Sequence, residues 1–137
     1  MEIQEQGKLR FNGVNIVRTN FSAKNKFDFE EQIDLDVDVK LVPTTDPVSF
    51  QILMDASLSV KNYFKLDVIA IGNFDLEESL QGAERLAFIN INAPAIMFPY
   101  LRAFITNFSA SCGETLPKIT IPPQFFDGEL DLLVPNK

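Results

Sequence analysis

A chain of 137 residues with 46% hydrophobic and 23% charged side chains has the size and balance of one folded domain, which excludes a disordered polypeptide. Lys and Arg number 12 against 19 Asp and Glu; the formal charge of −7 repels a phosphate backbone and argues against nucleic-acid binding. There is no His and a single cysteine, Cys112, which removes Ser-His-Asp triads, Cys-His pairs, His-ligated zinc, internal disulfides and multi-cysteine metal sites. The expectation is a non-enzyme without a cofactor.

Met1 to Lys8 is polar, so no signal peptide is expected there. No apolar run approaches the roughly 18 residues that span a bilayer, so no direct membrane insertion is expected. A lone cysteine fits a reducing compartment, and the expected location is cytoplasmic. No linker, repeat or low-complexity stretch divides the sequence, so residues 1–137 read as one domain.

A short first strand is predicted from Leu9 to Arg18, with Gly13 marking a bulge. From Phe27 onward the apolar residues fall on odd positions: Phe27, Phe29, Ile33, Leu35, Val37, Val39 and Leu41. Asp28, Glu30, Asp34, Asp36, Asp38 and Lys40 alternate with them, which predicts a long strand with one apolar and one acidic face. Pro43-Thr44-Thr45-Asp46-Pro47 reads as a turn. The phase is then even through Val48, Phe50, Ile52, Met54, Ala56, Leu58 and Val60, a strand antiparallel to its predecessor. Lys61-Asn62 is a tight-turn candidate, and a further strand is predicted from about Tyr63 to Ile71.

An irregular crossover is expected over Asp75–Gly82, and a short strand or turn over Leu86–Ile91. The period then changes. Met97, Leu101, Phe104, Ile105 and Phe108 form a helical stripe, with Asn92 as a cap, Pro94 in the first turn, Pro99 as an irregularity and Gly113 just past the end. Ile119–Ile121 is strand-like, and Gly128–Val134 is expected to form one or two helical turns. The fold class is therefore α+β: a four-stranded antiparallel sheet meander, with one long helix and a short C-terminal helix packed on one face.

Thirteen Phe stand against two Tyr and no Trp. Phe has no polar handle, so these rings belong either in a Phe-rich core or along a subunit interface or groove. Asp34-Leu35-Asp36-Val37-Asp38 superficially resembles the start of a calcium loop, but Val39 and Thr45 stand where such a loop needs Gly and Glu. On a strand these carboxylates lie some ~7 Å apart, too far for one ion to collect all three. They read as a solvated acidic face open to protein docking. Cys112 beside Gly113 reads as a small buried hydrophobe, since no base is available to activate it.

Pro94, Phe98, Pro99, Tyr100 and Arg102, then Leu116-Pro117 and Ile119, then Pro123, Phe126 and Asp127, together resemble the SecB family of preprotein-export chaperones. That family carries a Pro-x-x-Leu-Phe-Pro-Tyr-x-Arg stretch, a Phe-Pro-x-Leu strand and a Pro-x-x-Phe-Asp turn in this order. Gly72-Asn73-Phe74 also resembles its glycine-containing strand end. The resemblance implies an ATP-independent chaperone that holds unfolded polypeptides or preproteins in apolar grooves, assembled as a homotetramer, a dimer of dimers. Candidate groove residues are Phe21, Phe27, Phe29, Ile96, Met97 and Phe104; the candidate partner-docking face is Asp34, Asp36, Asp38 and Asp67. The family's motor-docking region carries carboxylates where this chain has Thr19-Asn20-Phe21-Ser22-Ala23-Lys24, and the chain ends at Lys137 where the family usually has a longer helix and an acidic tail. Docking to the SecA motor is accordingly expected to be weak. A chaperone dedicated to one client, such as an antitoxin, and a non-catalytic oligomeric adaptor remain open alternatives.

Overall fold

The computed structural model describes residues 8–25, 33–116, 118, 119, 121 and 131–132, the last two as backbone only. Four long strands come first: β1 (Leu9–Ala23), β2 (Asp34–Pro43), β3 (Ser49–Val60) and β4 (Phe64–Leu76). A helical segment follows, built from α1 (Gly82–Ala87), a π-helical turn (Phe88–Asn92) and α2 (Ala93–Ala110). A 3-10 turn (Gly113–Thr115) and a two-residue β5 (Asp131–Leu132) follow. The sheet order is β1-β4-β3-β2-β5.

Strands β2, β3 and β4 form the expected antiparallel meander. Their connections match the turn chemistry of the sequence. At the first, Asp46 Oδ1 accepts from the Val48 N–H at 3.0 Å, and Thr44 Oγ1 donates to the Ser49 carbonyl at 2.9 Å. At the second, Asn62 takes a φ of +74°, a left-handed position that Asn tolerates better than most residues. Strand β1 is longer than its expected end at Arg18 and lies against β4 rather than β2.

Two irregularities in β1 explain why alternation fails to reveal its length. Leu9 and Phe11 pair with Leu76 and Phe74; after Gly13, at φ +110°, the partners become Val14↔Gly72 and Ile16↔Ala70. A second shift at Val17 gives Thr19↔Val68 and Phe21↔Leu66. Each extra residue flips the facing phase, so the residues aligned with the core side of β4 change from odd to even and back to odd.

The core lies on one face of the sheet. Ile52, Met54, Ala56 and Leu58 from β3, and Leu66, Val68, Ala70 and Phe74 from β4, are buried beneath Met97, Phe98, Leu101 and Ile105 of α2. Gly72 permits the close approach. A Cβ there would stand 2.8 Å from Met97 Sδ and 3.0 Å from a Phe74 ring carbon.

The helix begins earlier than the sequence suggests, and Leu86–Ile91 is helical rather than a strand or turn. Asn92 is itself in helical conformation (φ −73°, ψ −45°) and makes no side-chain cap. The π-helical turn carries the chain into Pro94: the Ala93 N–H reaches back five residues to the Phe88 carbonyl, just before the residue that has no N–H to give. Pro99 is likewise accommodated inside α2, and Gly113, at φ +68°, sits just past its end as expected. Within the Gly128–Val134 stretch, where a short helix was expected, Asp131 and Leu132 instead pair in parallel with Lys40 and Leu41. An open sheet edge offers an extended segment backbone partners, which outweighs the weak propensity of so short a helix.

A polar clasp on the outer face ties three strands together. Ser49 donates to one Asp75 oxygen at 2.6 Å and Asn12 to the other at 2.8 Å. The Ser49 bond, aided by Asn12 and by the nearby positive charge of Arg10, holds the Asp75 carboxyl below the usual carboxylate range, against a smaller opposing effect of burial. A carboxyl depressed on folding stabilises the native state above its unfolded value and loses that contribution as pH falls through the folded value. The chain is therefore expected to lose stability on acidification below about pH 4, and Asp75→Asn to show a smaller loss over the same range. Urea midpoints at neutral and acid pH measure this; identical acid losses in both proteins would refute it.

Candidate binding surfaces

Two surfaces collect the residues singled out from the sequence. The first is an apolar ridge along α2. Ile96, Tyr100, Phe104 and Phe108 follow one another at four-residue spacing, and neighbours four apart lie on the same side of a helix. Strand β1 packs its rings against this ridge. Phe11 meets Tyr100 at 5.1 Å, and Phe21 meets Phe108 edge-on at 5.7 Å; Phe104 lies 6.0 Å from Phe108. Phe21, Ile96, Phe104 and Phe108 are half-buried, while Tyr100 stays 53% exposed.

Two candidates therefore come together through a third ring: Phe21 and Phe104 both border Phe108, which belonged to the helical stripe but not to the expected site. Ile96 continues the same ridge toward its N-terminal end. Met97, next to Ile96 in the chain, is fully buried against Gly72 and so belongs to the core rather than to the open ridge. Phe27 and Phe29 lie outside the described residues.

The second surface is the outer face of the sheet. Register places Asp34, Asp36 and Asp38 of β2 opposite Ser59, Ser57 and Asp55 of β3, and Asp67 of β4 opposite Ser57 and Asn20. All four expected acidic residues share this face, but Asp36 and Asp67 are separated by an intervening strand, about 10 Å at ordinary strand spacing. Asp55 joins them directly across from Asp38. Exposed like charges at such a pair are unfavourable, and Lys40, 3.4 Å from Asp38, relieves them. Lys65 lies 3.8 Å from Asp67. Both ion pairs are solvated and contribute little to stability. The face is thus mixed in charge and carries an apolar strip of half-buried Leu53, Ile69 and Ile71.

Cys112 is poorly suited to act as a nucleophile. Its thiol donates to the Phe108 carbonyl at 3.2 Å, and burial pushes its pKa up, which disfavours the thiolate a nucleophile needs. Among the described residues no helix is long and apolar enough to cross a membrane.

A twisted antiparallel sheet covered on one face by a single long helix, with β1 beside β4, is a SecB-like fold. The Mycobacterium tuberculosis SecB-like chaperone Rv1957, solved in complex with a ChAD peptide from the HigA1 antitoxin, superimposes with a TM-score of 0.68 over 89% of this chain and 91% of that one. Sequence identity is 13%, so this likeness concerns the fold. A Streptococcus agalactiae protein of unknown function gives a TM-score of 0.49 at 10% identity, covering 84% of this chain and 97% of that one. No protein-family model and no curated protein matches the sequence.

Proposed function

We propose that this chain is an ATP-independent chaperone that holds unfolded polypeptides or preproteins. The observation that carries the reading is the half-exposed ring cluster Phe21, Phe104 and Phe108 between β1 and α2. Apolar rings left partly open to water on a folded domain give a contact surface that reads hydrophobicity rather than sequence. The charge of −7 keeps such a protein dispersed and favours basic, extended clients. Nothing in this reading requires catalysis or a cofactor, and a cytoplasmic location is part of the proposal.

The assembly that fits is a dimer of dimers. Leu86, Ile91 and Tyr100 of the helical segment are exposed at 53%, 63% and 53%, apolar surface that packing of helices between dimers would help to cover. Docking to SecA through Asp34, Asp36, Asp38 and Asp67 would be weak, because Asn20, Lys40 and Lys65 interrupt the negative field.

Native mass spectrometry of the protein with reduced, carboxymethylated α-lactalbumin tests the reading. A tetramer that gains one or more client chains is expected, and any binding of added SecA should be micromolar or undetectable. A monomer of 15.4 kDa that ignores the client would overturn both assembly and function. The alternative of a chaperone dedicated to one client is favoured by the Mycobacterium tuberculosis structure, whose chaperone is bound to an antitoxin peptide. A tetramer that refuses this unrelated client supports that alternative.

A further inference from the structure

One flank of α2 is polar, and among the described residues its side chains bond main-chain atoms. Arg102 Nε donates to the Ile121 carbonyl at 2.9 Å, and Thr106 Oγ1 donates to the Ile119 carbonyl at 2.8 Å. Ser109 Oγ accepts from the Ile119 N–H at 2.9 Å and donates to the Thr106 carbonyl at 3.0 Å. Residues 102, 106 and 109 recur at spacings of four and three, so they line one side of the helix, away from Phe104 and Phe108. The segment they hold inserts Leu116, Ile119 and Ile121 into the core, while Lys118 points to water.

A row of side chains that grips backbone, beside pockets that accept apolar side chains, suits an extended polypeptide of almost any sequence. Here the occupant is the chain's own segment. Among the described residues it forms no strand ladder with the sheet; side-chain bonds from α2 attach it.

We propose that the stretch bearing Leu116, Ile119 and Ile121 is a displaceable strap, an internal stand-in for client, whose release opens a second holding surface along Arg102, Thr106 and Ser109. An extended client segment with apolar residues at similar spacing would take over the pockets of Leu116, Ile119 and Ile121. This inference rests on the chaperone reading and adds a gate to it. The closed strap lowers apparent affinity by the fraction of time it is shut, so weakening the strap should strengthen client binding.

The test compares the parent with Thr106→Val, Ser109→Ala and the hydroxyl-retaining Thr106→Ser. Amide exchange at Ile119 reports strap opening, and binding of carboxymethylated α-lactalbumin reports holding. Loss of the Thr106 bond, or of the two bonds made by Ser109, should speed exchange and tighten client binding about five-fold. Thr106→Ser should behave as the parent does. Faster exchange with unchanged or weaker binding would overturn the strap while leaving the chaperone function standing. A parent that binds no client fails the function itself, and circular dichroism identifies any variant that has not folded.

Discussion

Replacing Phe21 and Phe104 together by Ser is expected to weaken capture of an unfolded client by about ten-fold or more. A fully buried Phe contributes ~1.5–3 kcal/mol, and each ~1.4 kcal/mol is a factor of ten in affinity. Both rings are only half-buried in the chain, so the variant should keep its fold while losing contact surface. Raised salt should have a modest effect, since the contact is apolar. Fluorescence titration with carboxymethylated α-lactalbumin in low and high salt measures both. Binding that disappears in salt while the rings are intact would show that charge, and not the ridge, does the holding. Phe27 and Phe29 form the companion pair for the same substitution.

The largest stability effect should come from Gly72. A Cβ there would stand 2.8 Å from Met97 Sδ and 3.0 Å from a Phe74 ring carbon, and both side chains are fully buried, so one of them must shift within the core. Gly72→Val is expected to cost about 2–3 kcal/mol, as overpacking of a dense core does, and Gly72→Ala less. Adding Met97→Val to Gly72→Val should recover part of that loss. The two sites touch, so their effects should be non-additive. Urea denaturation of the four proteins in this cycle decides it: strict additivity would mean that the crowding at Gly72 lies elsewhere.

Period-two alternation revealed β2, β3 and β4 because each keeps one phase from end to end. Strand β1 does not. Val14 and Ile16 face the core from even positions, while Phe11 and Phe21 do so from odd ones, and only pairing against β4 shows that these belong to one strand. The start of the helix was hidden in a similar way. Pro94 suits a first turn, and nothing in Phe88–Asn92 announces a wide turn that leads into it. At the site, the spacing of Phe104 and Phe108 predicts a helical face but not which of its sides β1 covers. That Phe21 lies against Phe108 follows from the crossing of helix and strand, a tertiary fact. The acidic face was easier to read, because alternation alone puts Asp34, Asp36 and Asp38 together. Asp55 was missed because its position across from Asp38 depends on the β2–β3 register.

The pairing of β1 with β4 also governs the order in which the chain assembles. The β2–β3 and β3–β4 hairpins close over short turns, so they form from local contacts as soon as their residues exist. Leu9, near the start, finds its partner only at Leu76. During synthesis β1 must therefore wait, unpaired, until the whole meander has emerged, and the long loop it closes carries an entropy cost that the hairpins avoid. Until that moment Phe11 and Phe21 lack the sheet on which they pack. For a time, a nascent copy of this protein displays rings as unshielded as those of any unfolded chain.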